Sequence, residues 1–461
     1  VNDPRYRGRA PAPPARRRRW ATAVAALAVV LALLTAGTGA WWFLGDGSEQ
    51  WARWHWQPPA QVLLPPMEIQ PIPGWRSNVT DLGLPADAKF TTDGTDVPGP
   101  VIKTSGPRTY LLASSSSPAT TQWWLAGVNP KHGRAPYPPV ALNATSHPPS
   151  CFINGTSVVC LADDGDATTA WVIDGISGQL LHTGPSEMKL QGNRLRARQV
   201  GDYLLAQTEK EGVHGVGPDA DTTWFVAGVG IIAAHDDDLA FQSQGEGSGS
   251  VLFELGHGAA VQLELPHDAR VQTPKFFDGG FAASVVGEGE PSAIQFFESR
   301  AKPISRTRIG GLQTTDTTAN LVAILEDRDH WGIYTPEGSK LLGLPADRAG
   351  TIHLIGSTLW VGADTGGSPR VQPYDLRTGD AGAPCNVDLN GYLGTDGTVA
   401  LRAPTNARSD DLAQAFDLTT CRLAWSIPRP AGSLARLTAI GDTLVQLSDD
   451  GTELMSLVAP S

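Results

Sequence analysis

The chain has 461 residues, 41% of them hydrophobic, with 35 Lys and Arg against 47 Asp and Glu and a formal net charge of −12. Residues 1–60 hold 8 arginines and 3 acids, so the remainder carries 27 basic and 44 acidic residues, a net of −17. A domain of that balance repels nucleic acid and anionic headgroups at long range, which disfavours a nucleic-acid partner.

Residues 1–20 form a basic arm that ends in Arg16, Arg17, Arg18, Arg19 and Trp20. Residues 21–44 follow without a charge, and a spanning helix needs roughly 20 mostly apolar residues. Trp20 before the stretch and Trp41 and Trp42 near its end supply the aromatics expected at both headgroup levels. The arginine excess holds the arm in the cytoplasm and exports the rest, giving a single-pass cell-membrane protein with an extracytoplasmic C-terminal domain. A cleaved signal peptide is the alternative, since Thr38-Gly39-Ala40 suits a signal peptidase, but the stretch exceeds an h-region of roughly 7–15 residues.

Residues 45–74 read as a juxtamembrane linker. Trp51, Trp54 and Trp56 come first, then Pro58, Pro59, Pro65, Pro66, Pro71 and Pro73, which favour an extended, semi-rigid spacer. The tryptophans suit either the lipid surface or packing against the exported domain.

Residues 75–461 consist of short β-rich runs separated by Gly, Asp, Asn and Ser turns, and no segment holds a helical period. Runs at 109–113, 170–173, 203–207, 223–227, 251–255, 293–297, 321–325, 358–361, 398–402 and 443–447 predict strands. One frame recurs: an apolar strand, an Asp, three residues, a Gly-like position, a second strand. It is read at Asp174 to Gly178, at Asp375 to Gly379, and from Asp417 to Trp425 with Cys421 in the glycine's place. The carboxylate can satisfy turn amides and glycine supplies a positive φ.

Cys151, Cys160, Cys385 and Cys421 all lie in the exported part, and an even number there suggests two disulfides. The stretch from Cys151 to Cys160 reads as a hairpin. With Gly155-Thr156 as a type II′ loop, the two cysteines face each other on a non-hydrogen-bonded rung, where Cα atoms lie about 4.5 Å apart. An Asn154-Gly155 type I′ loop would put them out of register. The first loop gives an exported Cys pair its purpose, and Cys385–Cys421 follows by elimination.

The frame resembles the quinoprotein-type (PQQ-like) β-propeller repeat, whose blade reads roughly Leu-x-Ala-Leu-Asp-x-x-Thr-Gly-x-x-x-Trp; the best match runs from Phe416 to Trp425. The chain also resembles membrane-anchored propellers of high-GC Gram-positive bacteria. The resemblance implies an all-β propeller behind a single transmembrane helix. Hairpin counting gives eight blades, with seven and nine as alternatives, and closure by an N-terminal strand near residues 75–84 would remove open sheet edges. An enzyme of that family would hold a Ca²⁺-bound quinone, but the vicinal Cys pair of many members is missing here. Asp163-Asp164-Gly-Asp166, Asp219-Ala-Asp221 and His235-Asp-Asp-Asp238 read as solvated turns rather than Ca²⁺ loops. No nucleophile elbow, phosphate loop or zinc motif is present. We therefore expect no cofactor, no metal and no catalytic residue. The expected role is a non-catalytic, membrane-tethered propeller that binds or scaffolds an envelope protein, glycan or glycolipid; a degenerate quinoprotein or glycan-active propeller enzyme is the alternative.

Overall fold

A computed structural model describes residues 47–460, apart from 92–100, 107, 118–119, 146, 165–166, 193–194, 236–238, 246–247, 266–267, 288, 290, 305–307, 312, 316–319, 346–350, 364–369, 405–408 and 434. The basic arm, the apolar stretch 21–44 and the candidates Arg16, Arg17, Arg18, Arg19, Trp20, Trp41 and Trp42 lie outside the described residues. Among the described residues no helix is long and apolar enough to cross a membrane.

Every strand run read from the sequence falls within or overlaps an observed strand, and the strands assemble into nine antiparallel sheets, not eight. We number these blades in chain order: 89–145, 150–186, 196–227, 230–261, 270–310, 313–345, 352–375, 392–428, and last 436–458 with Ile72–Asn78. Counting hairpins undercounts for three physical reasons. Blade 1 has a split first strand, Lys89–Thr91 and Val101–Ser105, both pairing with Arg108–Ser116. Blades 4 and 5 end in strands of only two residues, Ala260–Val261 and Ile309–Gly310. Blade 7 has three strands, with its outer edge met by bridges from Cys385 to Val371 and from Ala381 to Tyr374.

The ring closes through a shared sheet. Ile72–Asn78 pairs antiparallel with Glu453–Val458 and supplies the outermost strand of blade 9, beside Arg436–Ile440 and Thr443–Leu447. Closure satisfies backbone groups that would otherwise remain at two open edges.

The segment read as a linker is laid onto this ring. Gly47–His55 is a helix, with Glu49 in its first turn, Arg53 and His55 in its last, and an i,i+4 contact of 3.4 Å from Arg53 to Glu49. Ala52 and Trp56 are buried in a core shared by blades 6 and 7, among Trp331, Leu341, Ile352 and Leu376. Leu64 and Met67 enter the core between blades 8 and 9. Trp56 is thus a packing residue, 8% exposed, and not a membrane-interface residue. Its apolar ring is worth more between two sheets than in water.

Blade-to-blade contact follows one pattern. An aromatic near the outer strand of one blade sits on the turn glycine of the next: Trp75 on Gly133, Tyr137 on Gly178, Trp224 on Gly258. Trp75 and Trp224 also donate their ring N–H to the Pro130 and Gly256 carbonyls, at 2.9 and 3.2 Å. No aromatic occurs in the outer strand of blade 6, Lys340–Pro345, and Arg53 from the helix covers Gly379 of blade 7 instead. The sequence frame holds in detail. Asp174 accepts N–H bonds from Ile176 and Ser177, Asp375 from Arg377, and Asp417 from Thr419 and Thr420. Gly178, Gly379 and Cys421 adopt φ of 71°, 85° and 58°, so Cys421 occupies the left-handed position without glycine's freedom.

Trp56→Ala should cost about 3–5 kcal/mol in chemical unfolding, the usual range for emptying a buried indole site. Gly178→Ala, whose Cβ would lie 2.2 Å from the Tyr137 ring, should destabilise more than Gly155→Ala, which has the same backbone hand but open space around it. Equal losses in the two would show that the aromatic contact contributes nothing.

Candidate functional site

Both disulfides expected from the sequence are present, Cys151–Cys160 and Cys385–Cys421. Asn154 faces Ser157 and Cys151 faces Cys160, with 4.0 Å between the cysteine Cα atoms, as a Gly155-Thr156 loop requires. Gly155 has φ 62°. The second bond ties the edge of blade 7 to the outer turn of blade 8, where it fastens neighbours rather than marking reactive thiols.

The other polar candidates are engaged in their turns. Asp163 accepts bonds from the Thr168 hydroxyl at 2.7 Å and from Leu190 N–H at 3.3 Å, and Asp219 lies 3.5 Å from His182. Residues 236–238 lie outside the described residues. The Ser177 hydroxyl, then its N–H, holds Asp174 below the usual carboxylate range, and the Thr420 N–H does the same for Asp417. Among the described residues no group of three or more His, Cys, Asp or Glu side chains is placed to hold a metal ion. A cleft of about 110 Å³ lies across blades 2 to 4, lined by Asn154, Tyr203, Trp224 and Leu255 among others, without a carboxylate, imidazole or thiol.

Two larger features remain. The first is the N-terminal strap, residues 47–78, which runs over blades 6, 7 and 8 before joining blade 9. Gln61 exchanges side-chain bonds with the Gly356 backbone in the first hairpin turn of blade 7. Leu64 N–H donates to the Thr395 carbonyl at 2.8 Å, and Met67 N–H to the Asp396 carboxylate at 2.6 Å, in the equivalent turn of blade 8. The Trp425 ring N–H donates to the Met67 carbonyl at 2.7 Å. Six large apolar residues of this strap face outward beside the polar His55, Gln57, Glu68 and Gln70: Trp54, Val62 and Ile69 are 67%, 66% and 68% exposed, and Trp51, Leu63 and Ile72 are exposed as well. Ile72 lies opposite exposed Val458 on the outer edge of blade 9. Exposed apolar residues concentrated on one segment mark a contact surface more often than a solvated one.

The second feature is the sorting of charge. First strands of successive blades approach one another (Ser150–Asn154 and Arg196–Val200, Gly230–His235 and Arg270–Phe277, Tyr392–Thr395 and Arg436–Ile440), as inner strands of radial blades must. They surround the central channel of a propeller. All the described inner strands together contain seven basic residues, Lys89, Lys103, Arg196, Arg198, Arg270, Lys275 and Arg436, and no Asp or Glu. In a chain whose acids outnumber its bases, that is the reverse of chance. Along Arg196–Val200 the burial pattern puts Ala197 between blades and leaves Arg196 and Arg198 exposed. An inner-strand residue flanked by blades on both sides can be exposed only toward the channel or its mouth.

Lys89, Arg196, Arg270 and Arg436 each open their strand. They therefore share one mouth of the channel, opposite the hairpin turns that hold the strap, a separation of one strand length, roughly 17–20 Å. Arg429, from the loop into blade 9, has its pKa lowered by burial and then by the charge of Arg436. Lys103, at the strap end, is paired with Asp202 at 2.6 Å. The strand reading did not expose this pattern, because net charge averages over the chain; the signal was the position of each base after a blade-to-blade loop.

The family model of the conjugation-associated 9-bladed beta-propeller domain matches residues 48–460. An uncharacterized protein of Mycolicibacterium smegmatis (strain MKD8) is 31% identical over 486 residues, covering 99% of each chain. Among solved structures, a eukaryotic initiation factor is 13% identical, covering 75% of this chain and 98% of its own with a TM-score of 0.44. Apo AztD from Citrobacter koseri is 11% identical, covering 66% and 91%, with a TM-score of 0.33. No function follows from either structure.

Asp396 makes the strap's attachment pH-sensitive. Burial opposes its charge, but N–H bonds from Met67, Val399 and Thr398 outweigh that and lower its pKa. A depressed carboxylate stabilises fully above the unfolded value of about 3.9 and loses that contribution as pH falls through the folded value. Asp396→Asn should therefore cost about 1.5–3 kcal/mol near neutral pH, the range for a hydrogen bond to a charged group. The gap to wild type should close as unfolding is measured at successively lower pH down to about 2; a gap independent of pH would count against this anchor.

Proposed function

This chain belongs to the family of conjugation-associated nine-bladed β-propeller domains, and from that premise we propose that it is a non-catalytic binding ring, tethered to the cell membrane and held against it by the strap. A nine-bladed ring offers a broad, stiff face whose loops can vary without disturbing the sheets, which suits recognition and scaffolding. The observation that carries the tethering is the strap itself. The uncharged stretch 21–44 ends three residues before the helix at Gly47, so a helix spanning the bilayer there would deliver Trp51 and Trp54 to the headgroup level. The apolar side of the strap then lies along the membrane, and its turn-bearing face of the ring with it. The partner is an envelope component, protein or glycolipid, met on the opposite face. The family model and the nine observed sheets carry the blade geometry in this reading.

In membranes of the native host, the full chain should stay in the pellet after alkaline carbonate extraction. External protease should reach the propeller in spheroplasts, with only the short arm protected. Release by carbonate, or a propeller cleaved only after lysis, would refute the tether.

A further inference from the structure

We propose that the ring rests on the bilayer at a second patch, on blade 2 across the channel from the strap, so that the channel axis stands along the membrane normal. This deepens the tethered reading and rests on it for the occupant of the face. Outside the strap, Ile176, Leu180, Leu181, Leu423 and Val458 are exposed. All five open on the face that the strap occupies. The strap bonds to the first hairpin turns of blades 7 and 8, and the outer turn of a blade is tied to that same hairpin turn. Leu376 N–H donates to the Ser357 carbonyl in blade 7, Leu418 N–H to Thr398 in blade 8 and Gly175 N–H to Thr156 in blade 2, at 3.0, 2.9 and 2.9 Å. Ile176 lies in that outer turn of blade 2, and Leu180 and Leu181 begin the strand that leaves it. Leu423 begins the corresponding strand of blade 8, and Val458 lies opposite Ile72 at the end of its strand. Among the described residues, the large apolar side chains exposed elsewhere are Phe225, midway along an outer strand, and Val229, in the loop that enters blade 4. Single apolar residues scattered over a surface are ordinary, but their confinement to one face marks a contact.

Position around the ring turns this contact into an orientation. The helix bearing Trp51 and Trp54 packs on blades 6 and 7, Ile72 and Val458 stand on blade 9, and the Ile176 patch is on blade 2, four blades beyond blade 7 in a ring of nine. Three points that are not in line fix a plane, and a stiff ring that touches a flat surface at all three cannot tilt. The surface is the bilayer, because the uncharged stretch 21–44 ends three residues before Gly47. Three residues reach at most about 10 Å, so a stretch that spans the bilayer leaves the strap face beside it. Charge contributes little to the contact. Lys131, Arg134, Arg377 and Arg422 stand in turns of this face, and so do Asp202, Asp278, Glu337 and Asp442. With both signs present, burial of apolar side chains at the headgroup boundary supplies the attraction.

The test uses the full chain in phosphatidylcholine nanodiscs whose lipids carry a nitroxide high on one acyl chain. All four native cysteines are held in disulfides, so one introduced cysteine takes a thiol-reactive fluorophore alone under non-reducing conditions. Chains are labelled separately through Leu63→Cys on the strap, Ile176→Cys, Leu423→Cys and, at the opposite mouth, Val229→Cys. The first three labels should be quenched at least about threefold more than the last, which sits roughly one strand length, 17–20 Å, farther from the lipid. Adding Leu181→Asp to the Ile176-labelled chain should lower its quenching at least about twofold, since a carboxylate resists leaving water. An Ile176 label quenched no more than the Val229 label would overturn the second patch, whatever the strap label reports. Quenching that ignores Leu181→Asp would overturn it too, by showing nearness without an apolar contact. Carbonate extraction asks a separate question, whether stretch 21–44 holds the chain in the membrane. A chain that carbonate leaves in the pellet, with its Ile176 label unquenched, would refute the patch and leave the tether standing.

Discussion

The pairing of Ile72–Asn78 with Glu453–Val458 is the constraint on which the rest of the molecule depends. Nine sheets arranged radially make a ring only if the last is completed from the other end of the chain; otherwise the array is an open arc with two exposed edges. Holding the ends of nearly four hundred residues together carries an entropic cost that grows only slowly with loop length. A sheet of four strands with Leu444, Leu454 and Leu457 buried beside it can offset such a cost. The strap adds to the same task, since Trp56 and Met67 place apolar mass between blades before the closing strand begins.

Much of this was legible in the residues. The strands announced themselves by composition and turn chemistry, and the Cys151–Cys160 hairpin could be registered from its loop, because a two-residue turn fixes every pair above it. The frame around Asp174, Asp375 and Asp417 was readable because each of its parts answers a local need of the backbone. The blade count was not, since a strand split across residues 92–100 and outer strands of two residues leave weak traces in composition. The strap escaped for a related reason. Its prolines suggested an extended spacer, and its one helix, nine residues long, draws its stability from Ala52 and Trp56 packing on distant blades rather than from local periodicity. Trp51 and Trp54 kept the exposure that interfacial residues need, whereas Trp56, two positions on, did not.

Charge shows the same limit more sharply. The excess of acids across residues 61–461 describes that stretch as a whole and not any one strand of a blade. Strand order sorts them: inner strands are rich in Arg and Lys, and the turns and rim hold the acids. Position in the blade, which no window of sequence reports, places seven bases on the inner strands of blades 1, 3, 5 and 9.

The order in which the strap meets the ring also has a mechanical consequence. Tension arriving from the N-terminal side reaches the helix Gly47–His55 first, clamped on blades 6 and 7 by Trp56 and by the Arg53 bond to the Leu341 carbonyl. It meets the turns of blades 7 and 8 next and the closing sheet last. The helix therefore acts as a strain relief, like the grip on a cable where it enters a plug, and the weld that keeps the ring shut carries little of the pull.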